Sequence, residues 1–411
     1  FLLEIGSEEL PASFVPMGCA SLERALVQLF QKEVIPFESI EMFGTPRRLT
    51  AYVKGLAMGR AAVQEERRGP SVAKAYDEKG EPTKAAIGFF RSIGREVPAR
   101  EHVKSRDGYL FATAEKPGVA TATIVSEALP KLIQKLDFPK TMRWSDCDTI
   151  YARPLHWIVA LHGSHVVPCS VGDVASGNTS QGHSQLDPTK VAIEKPADYL
   201  ATMKKHRVIV DQEERKETIL KQLDEIEKTH GVTVMHREKV LPQVVNLTEW
   251  PEATMAEFDA SFLKVPQEVL TSEMIEHQKY FPVADEKGKL KNAFVITCDT
   301  KPTDTIRRGN QKVLSARLAD GVFLYEQDLK TALDAFNEKL KKITFQKDLG
   351  TLKDKVDRLC AHVKILQQAL PIADLEKTLR AATLCKADLA TEMVGEFPEL
   401  QGTIGKYYAL H

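Results

Sequence analysis

Glycine-rich phosphate loops are missing from this chain: neither G-x-x-x-x-G-K-[ST] nor G-x-G-x-x-G occurs in its 411 residues. The two common nucleotide cradles are thereby excluded. Cysteine is scarce. The six present (Cys19, Cys147, Cys169, Cys298, Cys360, Cys385) are scattered without a C-x-x-C pair. That spacing argues against a zinc ribbon or disulfide frame and for buried or idle thiols in a reducing compartment, hence a cytoplasmic protein. No apolar run is long enough for a transmembrane helix. The opening Phe1-Leu2-Leu3-Glu4 has neither the basic stretch nor the long apolar core of a signal peptide, and the missing initiator Met fits a trimmed or excised piece. Neither sign of charge is in excess: 56 Lys and Arg face 57 Asp and Glu, a net charge of −1. A uniformly basic coat is excluded, so any polyanion has to be held by a local patch. Signatures of nucleophilic catalysis (G-x-S-x-G, a Cys beside a His) and of H-E-x-x-H metal binding are also absent. His156, His162, His165 and Cys169 look clustered, but on one strand His162 and His165 would point to opposite faces.

What is present is an ordinary globular composition, 43% hydrophobic and 27% charged, enough for two or three domains. The first part reads as mixed α and β. Leu2–Ile5 is a short strand, and Leu22, Leu26, Leu29 and Phe30 share one face of a helix. Ser39–Phe43 and Leu49–Leu56 are strands joined through Gly44-Thr45-Pro46-Arg47. Lys84–Ile93 and Ala122–Leu136 are expected helices, and Trp157–Leu161 a buried strand. Asp211 caps a helix with an Ile219, Leu223, Ile226 stripe that ends at Gly231. Tyr280–Ala284 and Ala293–Cys298 form a hairpin. Helical segments follow at Gln311–Tyr325, Asp328–Leu340, Leu352–Leu370 and Asp374–Val394. A domain boundary is expected near 300–315, where Pro302 and Gly309 bracket a polar stretch. The fold class is α+β: a mixed α/β region over 1–305, in two lobes, then a helical region over 306–411.

Arginine pairs beside Gly or Pro stand out: Arg47-Arg48 after Thr45-Pro46, Arg67-Arg68 before Gly69-Pro70, and Arg307-Arg308 before Gly309. Lys301–Arg317 holds five cations (Lys301, Arg307, Arg308, Lys312, Arg317) against the single acid Asp304. Guanidinium forks presented from turns suit bidentate phosphate contact. The same residues also read as solvated surface charge or internal ion pairs. Phe138-Pro139-Lys140-Thr141-Met142-Arg143-Trp144 mixes cations with aromatics, as base stacking plus backbone contact would use, or as core anchors with snorkelling cations would. Trp157, followed by Ile158-Val159-Ala160-Leu161, reads as core. The residues alone describe a soluble polyanion-binding protein without a self-contained active site.

Several strings, taken in order, resemble the glycyl-tRNA synthetase β-subunit family of the bacterial α2β2 kind. They are Leu3-Glu4-Ile5-Gly6-Ser7-Glu8-Glu9-Leu10-Pro11, Thr45-Pro46-Arg47-Arg48, Arg68-Gly69-Pro70, Phe138–Trp144, and Glu249-Trp250-Pro251. With them stand His277-Gln278-Lys279-Tyr280-Phe281-Pro282, Phe345-Gln346 with Leu349-Gly350-Thr351, and Glu396-Phe397-Pro398-Glu399-Leu400-Gln401-Gly402. The resemblance runs from residue 1 to residue 411. It implies a tRNA-binding, non-catalytic subunit whose α partner, separate or fused, holds ATP, magnesium and glycine; no cofactor is expected on this chain. Its partners would be that α subunit and tRNA(Gly), with neither DNA nor membrane. The implied fold is a region similar to the B3/B4 part of phenylalanyl-tRNA synthetase, then an HD-like helical domain. The chain would be a fragment, ending inside that domain and before an anticodon-binding domain.

Two departures stand out. Gly182-His183-Ser184-Gln185 replaces the family's Gly-His-Arg-Phe, and Ser315 stands where an Arg is usual. An HD phosphohydrolase needs a His, an adjacent His-Asp pair and a further Asp as metal ligands. Here His362 fits the first position, but the pair reads Ala387-Asp388, so His362 and Asp388 are degenerate positions and no metal is expected. Lys386 and Asp388 could instead form a structural or RNA-facing pair. The expected tRNA contacts are Arg47, Arg48, Arg67, Arg68, Lys140, Arg143, Arg307, Arg308 and Lys312, with no catalytic residue. Two rivals remain: a hydrolase in its own right, of the metal-dependent HD type or an editing type, and a structural subunit that mainly docks α.

Overall fold

Alternating apolar residues at the N-terminus build the centre of the first sheet. The computed structural model describes residues 1–60, 62–77, 79–116, 118–144, 146, 148–370 and 374–411, so Cys147 lies outside the described residues. The other five cysteines form no disulfide. The chain divides into two compact units, Phe1–Ser184 with Pro188–His206, and Gln185–Asp187 with Arg207–His411.

In the first unit, β1 (Leu2–Ser7), α1 (Phe14–Lys32), β2 (Ser39–Thr45) and β3 (Arg48–Lys54) are followed by β4 (Val63–Ser71), α2 (Lys84–Ser92), β5 (Lys104–Arg106) and β6 (Tyr109–Lys116). Then come α3 (Thr121–Gln134), the short ribbon β7 (Met142–Arg143) and β8 (Ile150–Tyr151), β9 (Leu155–His162), β10 (His165–Val166), β11 (Ser170–Val171) and β12 (Val174–Gly177). The main sheet runs β11-β12-β9-β1-β3-β2, with β10 on β9. Its centre, β1, pairs antiparallel with both β9 and β3. Every residue of β1 is buried, so both faces of the sheet are covered. On one face Leu3, Ile5, Leu49, Ala51 and Ile158 pack against Leu22, Leu26 and Phe30 of α1 and Val125, Leu129 and Ile133 of α3. The i, i+4, i+8 spacing on each helix supplies that stripe. A smaller three-stranded sheet, β4-β6-β5, stands apart, with α2 packed on it through Ala86 and Phe90. His162 and His165 are cross-strand partners on a hairpin rather than residues of one strand, because Gly163 turns the chain with φ +61°. His162 is buried against the Leu56 carbonyl at 3.1 Å, while His165 is exposed.

The second unit begins with α4 (Gln212–His230), started by Asp211, whose carboxylate accepts the Glu213 amide at 2.9 Å, and ended by Gly231 at φ +59°. A four-stranded antiparallel sheet follows: β13 (Thr233–Val234), β14 (Glu252–Glu257), β15 (Phe281–Ala284) and β16 (Leu290–Cys298), in the order β13-β15-β16-β14. One face carries Ile219 and Leu223 of α4 against Phe281, Val283 and Val295. The other carries Phe294 and Ile296 against Leu314, Leu318 and Val322 of α5 (Asp304–Asp328). That second core continues into Met393, Phe397 and Tyr408 near the C-terminus. Residue 305 therefore marks a change from sheet to helix inside the second unit, while the two compact units part at His206 and Arg207.

Three expected elements differ. The helix expected over Asp328–Leu340 is confined to Leu333–Lys339, because Asp328 ends the preceding helix. The helix expected from Gln311 starts at Asp304, because the Thr303 hydroxyl accepts the Ile306 amide at 3.2 Å and sets the first turn. Gly309 thus sits inside a helix, and Arg307 and Arg308 project from a helix rather than a turn. The expected Asp374–Val394 helix is broken into α7 (Leu375–Leu384), a 3-10 turn at Ala387–Ala390 and a short helix at Glu392–Glu396; α6 (Leu352–Ala369) precedes it. The Asp328 carboxylate takes the Glu392 and Met393 amides at 3.0 Å each, which fixes a new helix start there.

Candidate nucleic-acid interface

The Thr45-Pro46-Arg47 turn is pinned from below. The Ser7 amide donates to the Arg47 carbonyl at 2.9 Å and the Leu10 amide to the Pro46 carbonyl at 2.6 Å. Two of the strings that carry the family resemblance therefore meet in space. From this turn Arg47 and Arg48 diverge. Arg47 is half-buried, with its guanidinium 5.5 Å from the Trp157 ring centre, at the edge of a cleft of about 240 Å³ that Gly182, Ser184, Thr189 and Lys190 also line. Arg47 and Lys190 make this cleft cationic, and Ser184 supplies a hydroxyl.

Arg48 requires a correction. Its side chain is 0% exposed and cannot reach a phosphate. It lies on the sheet face away from α1 and α3, donating to the Gln181 carbonyl at 2.9 Å and the Ser180 hydroxyl at 3.3 Å, 3.8 Å from the Glu4 carboxylate and 5.3 Å from the Trp157 ring centre. Glu4, equally buried, accepts from the Trp157 indole N–H, the Tyr199 hydroxyl and, at 2.6 Å, the Ser180 hydroxyl. Burial, with the Glu4 carboxylate beside it, pushes the Tyr199 phenol well above its ordinary pKa, so it remains a donor. Gly6 permits the arrangement: a Cβ there would meet the Trp157 indole at 2.0 Å. Burial favours Arg here because one guanidinium can satisfy several acceptors at once.

The other expected contacts are scattered over separate surfaces. Arg67 and Arg68 are exposed neighbours on β4 and point to opposite faces of the small sheet; Arg68 stacks on Tyr109 with its guanidinium carbon 3.7 Å from the ring centre. Arg143 is exposed and 3.4 Å from Asp148. Lys140 is exposed with no acidic partner among the described residues. In the second unit, Arg307 is half-buried and tied to Asp304 on its own helix. Arg308 and Lys312, one turn apart on α5, are exposed and have no acidic partner among the described residues. Sequence reading overlooked Lys190, which needed the fold to bring it beside Arg47, and Tyr109.

Neither degenerate HD position is arranged for metal chemistry. His362 is exposed on α6, whereas Asp388 is buried and accepts the Gly402 amide, with Gly405 against its carboxyl carbon. Lys386 is not among the partners of Asp388. Among the described residues no group of three His, Cys, Asp or Glu is placed to hold a metal ion, and no helix is long and apolar enough to cross a membrane.

Comparison with known proteins gives a consistent picture. The family model described as "Glycyl-tRNA synthetase beta subunit" matches residues 1–411. The glycine–tRNA ligase beta subunit of Trichlorobacter lovleyi is 43% identical over 100% of this chain and 60% of its own length. That of Citrifermentans bemidjiense is likewise 43% identical with the same coverage. The glycine–tRNA ligase of Chlamydia muridarum is 41% identical over 99% of this chain but 42% of its own length. The chain thus spans 60% of the length of the beta-subunit relatives. With order, spacing and a whole-length match all in agreement, the chain belongs to the glycyl-tRNA synthetase beta subunit family.

Proposed function

We propose that this chain is the tRNA-holding, non-catalytic part of a glycine–tRNA ligase, working in the cytoplasm. Its exposed cations would grip the acceptor-arm phosphates of tRNA(Gly) and aim the 3′ end at the active site of an α partner, separate or fused. ATP, magnesium and glycine would sit on that partner. The observation that carries this reading is family membership over all 411 residues. The geometry lends support: Arg308 and Lys312 stand one turn apart on the exposed side of α5, and Arg47 and Lys190 share a cleft. Such contacts contribute to rate by positioning, because fixing two reactants in register removes entropy from the barrier. On this reading residues 1–305 correspond to the B3/B4-like region, and the helices after Asp304 to the HD-like domain. A hydrolytic role for the HD-like positions finds no support in the neighbourhood of Asp388, whose carboxylate is spent on holding the Gly402 backbone.

The test is tRNA(Gly) binding by the full-length ligase with its partner, measured across a salt series. Affinity should fall steeply as salt rises, and Arg308→Glu combined with Lys312→Glu should weaken binding about tenfold and flatten the log–log salt slope by about 2. An unchanged slope in that double variant would reject α5 as a phosphate contact.

A further inference from the structure

Strand pairing in β4-β6-β5 sorts its side chains into two unlike faces. Leu110 and Ala112 of β6 point inward and are buried beneath α2 with Phe90. Tyr109, Phe111 and Thr113 therefore share the other face. Register places Arg106 opposite Tyr109, and both Lys104 and Arg68 opposite Phe111. Tyr109 is 37% exposed; Arg68, Lys104 and Arg106 are exposed. The Arg68 guanidinium lies 3.7 Å from the Tyr109 ring centre and that of Arg106 5.0 Å from the Phe111 ring centre. Among the described side chains of these three strands, register places one carboxylate on this face, Glu66, 3.3 Å from Arg106. Among those described side chains three cations stand against one acid, and two aromatic–guanidinium stacks form the flat ground of the face.

We propose that this face is a stacking platform for a short unpaired stretch of RNA. Bases stack on aromatic rings and on guanidinium planes alike, and the cations that hold those planes meet the flanking phosphates. Tyr109 and Phe111 are two residues apart on one strand, a separation of about 7 Å. That is about twice the 3.4 Å rise of stacked bases in a duplex strand, so two bases can each occupy one stack only when they are unstacked from each other. Duplex RNA cannot supply them; a single-stranded end can. Gly69 keeps the platform close to its support, since a Cβ there would meet the Phe89 ring of α2 at 2.7 Å. The inference rests on the proposed tRNA-binding function and extends it to the unpaired part of the substrate.

The experiment uses the full-length ligase with its partner and four fluorescent probes: an unstructured twelve-nucleotide oligouridine, an RNA duplex of equal length, tRNA(Gly), and a glutamate heptapeptide. Oligouridine binding should depend on Tyr109, whereas duplex binding, served by the other exposed cations, should not. Tyr109→Ala and Arg68→Ala should each weaken oligouridine binding about tenfold, and Tyr109→Phe should restore it to within about twofold. A duplex affinity that falls as far as the oligouridine affinity in Tyr109→Ala, or an oligouridine affinity unchanged in that variant, would overturn the platform. So would a heptapeptide that binds with the same dependence on Tyr109, which would assign the face to an acidic peptide. If tRNA(Gly) binds in a salt-dependent way and Tyr109→Ala changes nothing, only the platform fails. If tRNA(Gly) does not bind at all, the wider reading fails with it. Unaltered melting of each variant establishes that binding, not folding, is being compared.

Discussion

Glu4→Gln is expected to lower the stability of the first unit by about 3–5 kcal/mol, the range for removing one partner of a buried ion pair. The reason lies in what remains. Arg48 is fully buried, and Glu4 is the carboxylate 3.8 Å from its guanidinium. The amide that replaces Glu4 also turns a double acceptor into a group with one acceptor atom, although Trp157, Ser180 and Tyr199 all donate to that carboxylate. Arg48→Met should be costly by a similar amount, since it strands Glu4. The double variant should cost less than the sum of the two, because neither charge is then left alone. Urea unfolding followed by tryptophan fluorescence measures all three; simple additivity would show that Glu4 and Arg48 do not act as a pair. The consequence for function is indirect but specific. The network fixes Trp157 and the β3 start, and Arg47 projects from the adjoining turn, so loosening the network should blur the position of Arg47 before it removes any contact from the surface.

The contrast between Arg47 and Arg48 also marks where sequence reading runs out. The elements were legible where a signal was local. The Leu22, Leu26, Phe30 stripe announced α1, and Asp211 with Gly231 bracketed α4. The fate of Arg48 was not local. Its partners lie at Glu4, Ser180 and Gln181, and nothing in Thr45-Pro46-Arg47-Arg48 says which arginine enters the buried face. The α5 start is hidden because Gly309 reads as punctuation, while the hydroxyl of Thr303 and the apolar face at Leu314, Leu318 and Val322 outweigh one glycine. A missed element was readable in principle. Tyr109, Phe111 and Thr113 are aromatic and β-branched residues of the kind enriched in strands, within a short run bounded by the Asp107-Gly108 turn signal. The family resemblance supplied the wider assignment that no single string could carry, yet it did not say which cations face solvent.

A second large effect is expected at Glu273, in the second unit. Its side chain is 2% exposed, in the wide π-type turn Glu273–His277, and one carboxyl oxygen has no hydrogen-bond partner. Burial pushes its pKa from 4.5 up to about 7; Arg317 opposes that rise, and Asp320, Glu396 and Glu399 add to it. Because the folded-state value is raised, the native chain retains a proton that the unfolded chain has already released. Stability is therefore highest below the unfolded value and declines as pH climbs from about 4.5 to about 7, with no further loss from this group above that. At about 1.4 kcal/mol for each tenfold change in proton affinity, the decline reaches about 3 kcal/mol at most. Glu273→Gln keeps the shape and removes the titration. Measured against the parent, the variant should gain little near pH 4 and about 2–3 kcal/mol near pH 8. The readout is urea unfolding followed by the fluorine NMR signal of 5-fluorotryptophan at Trp250, the one tryptophan of residues 207–411. A stability difference that stays constant across this pH range would mean that Glu273 ionises alike in both states. The neighbouring charges would then, against the geometry, be compensating its burial in full.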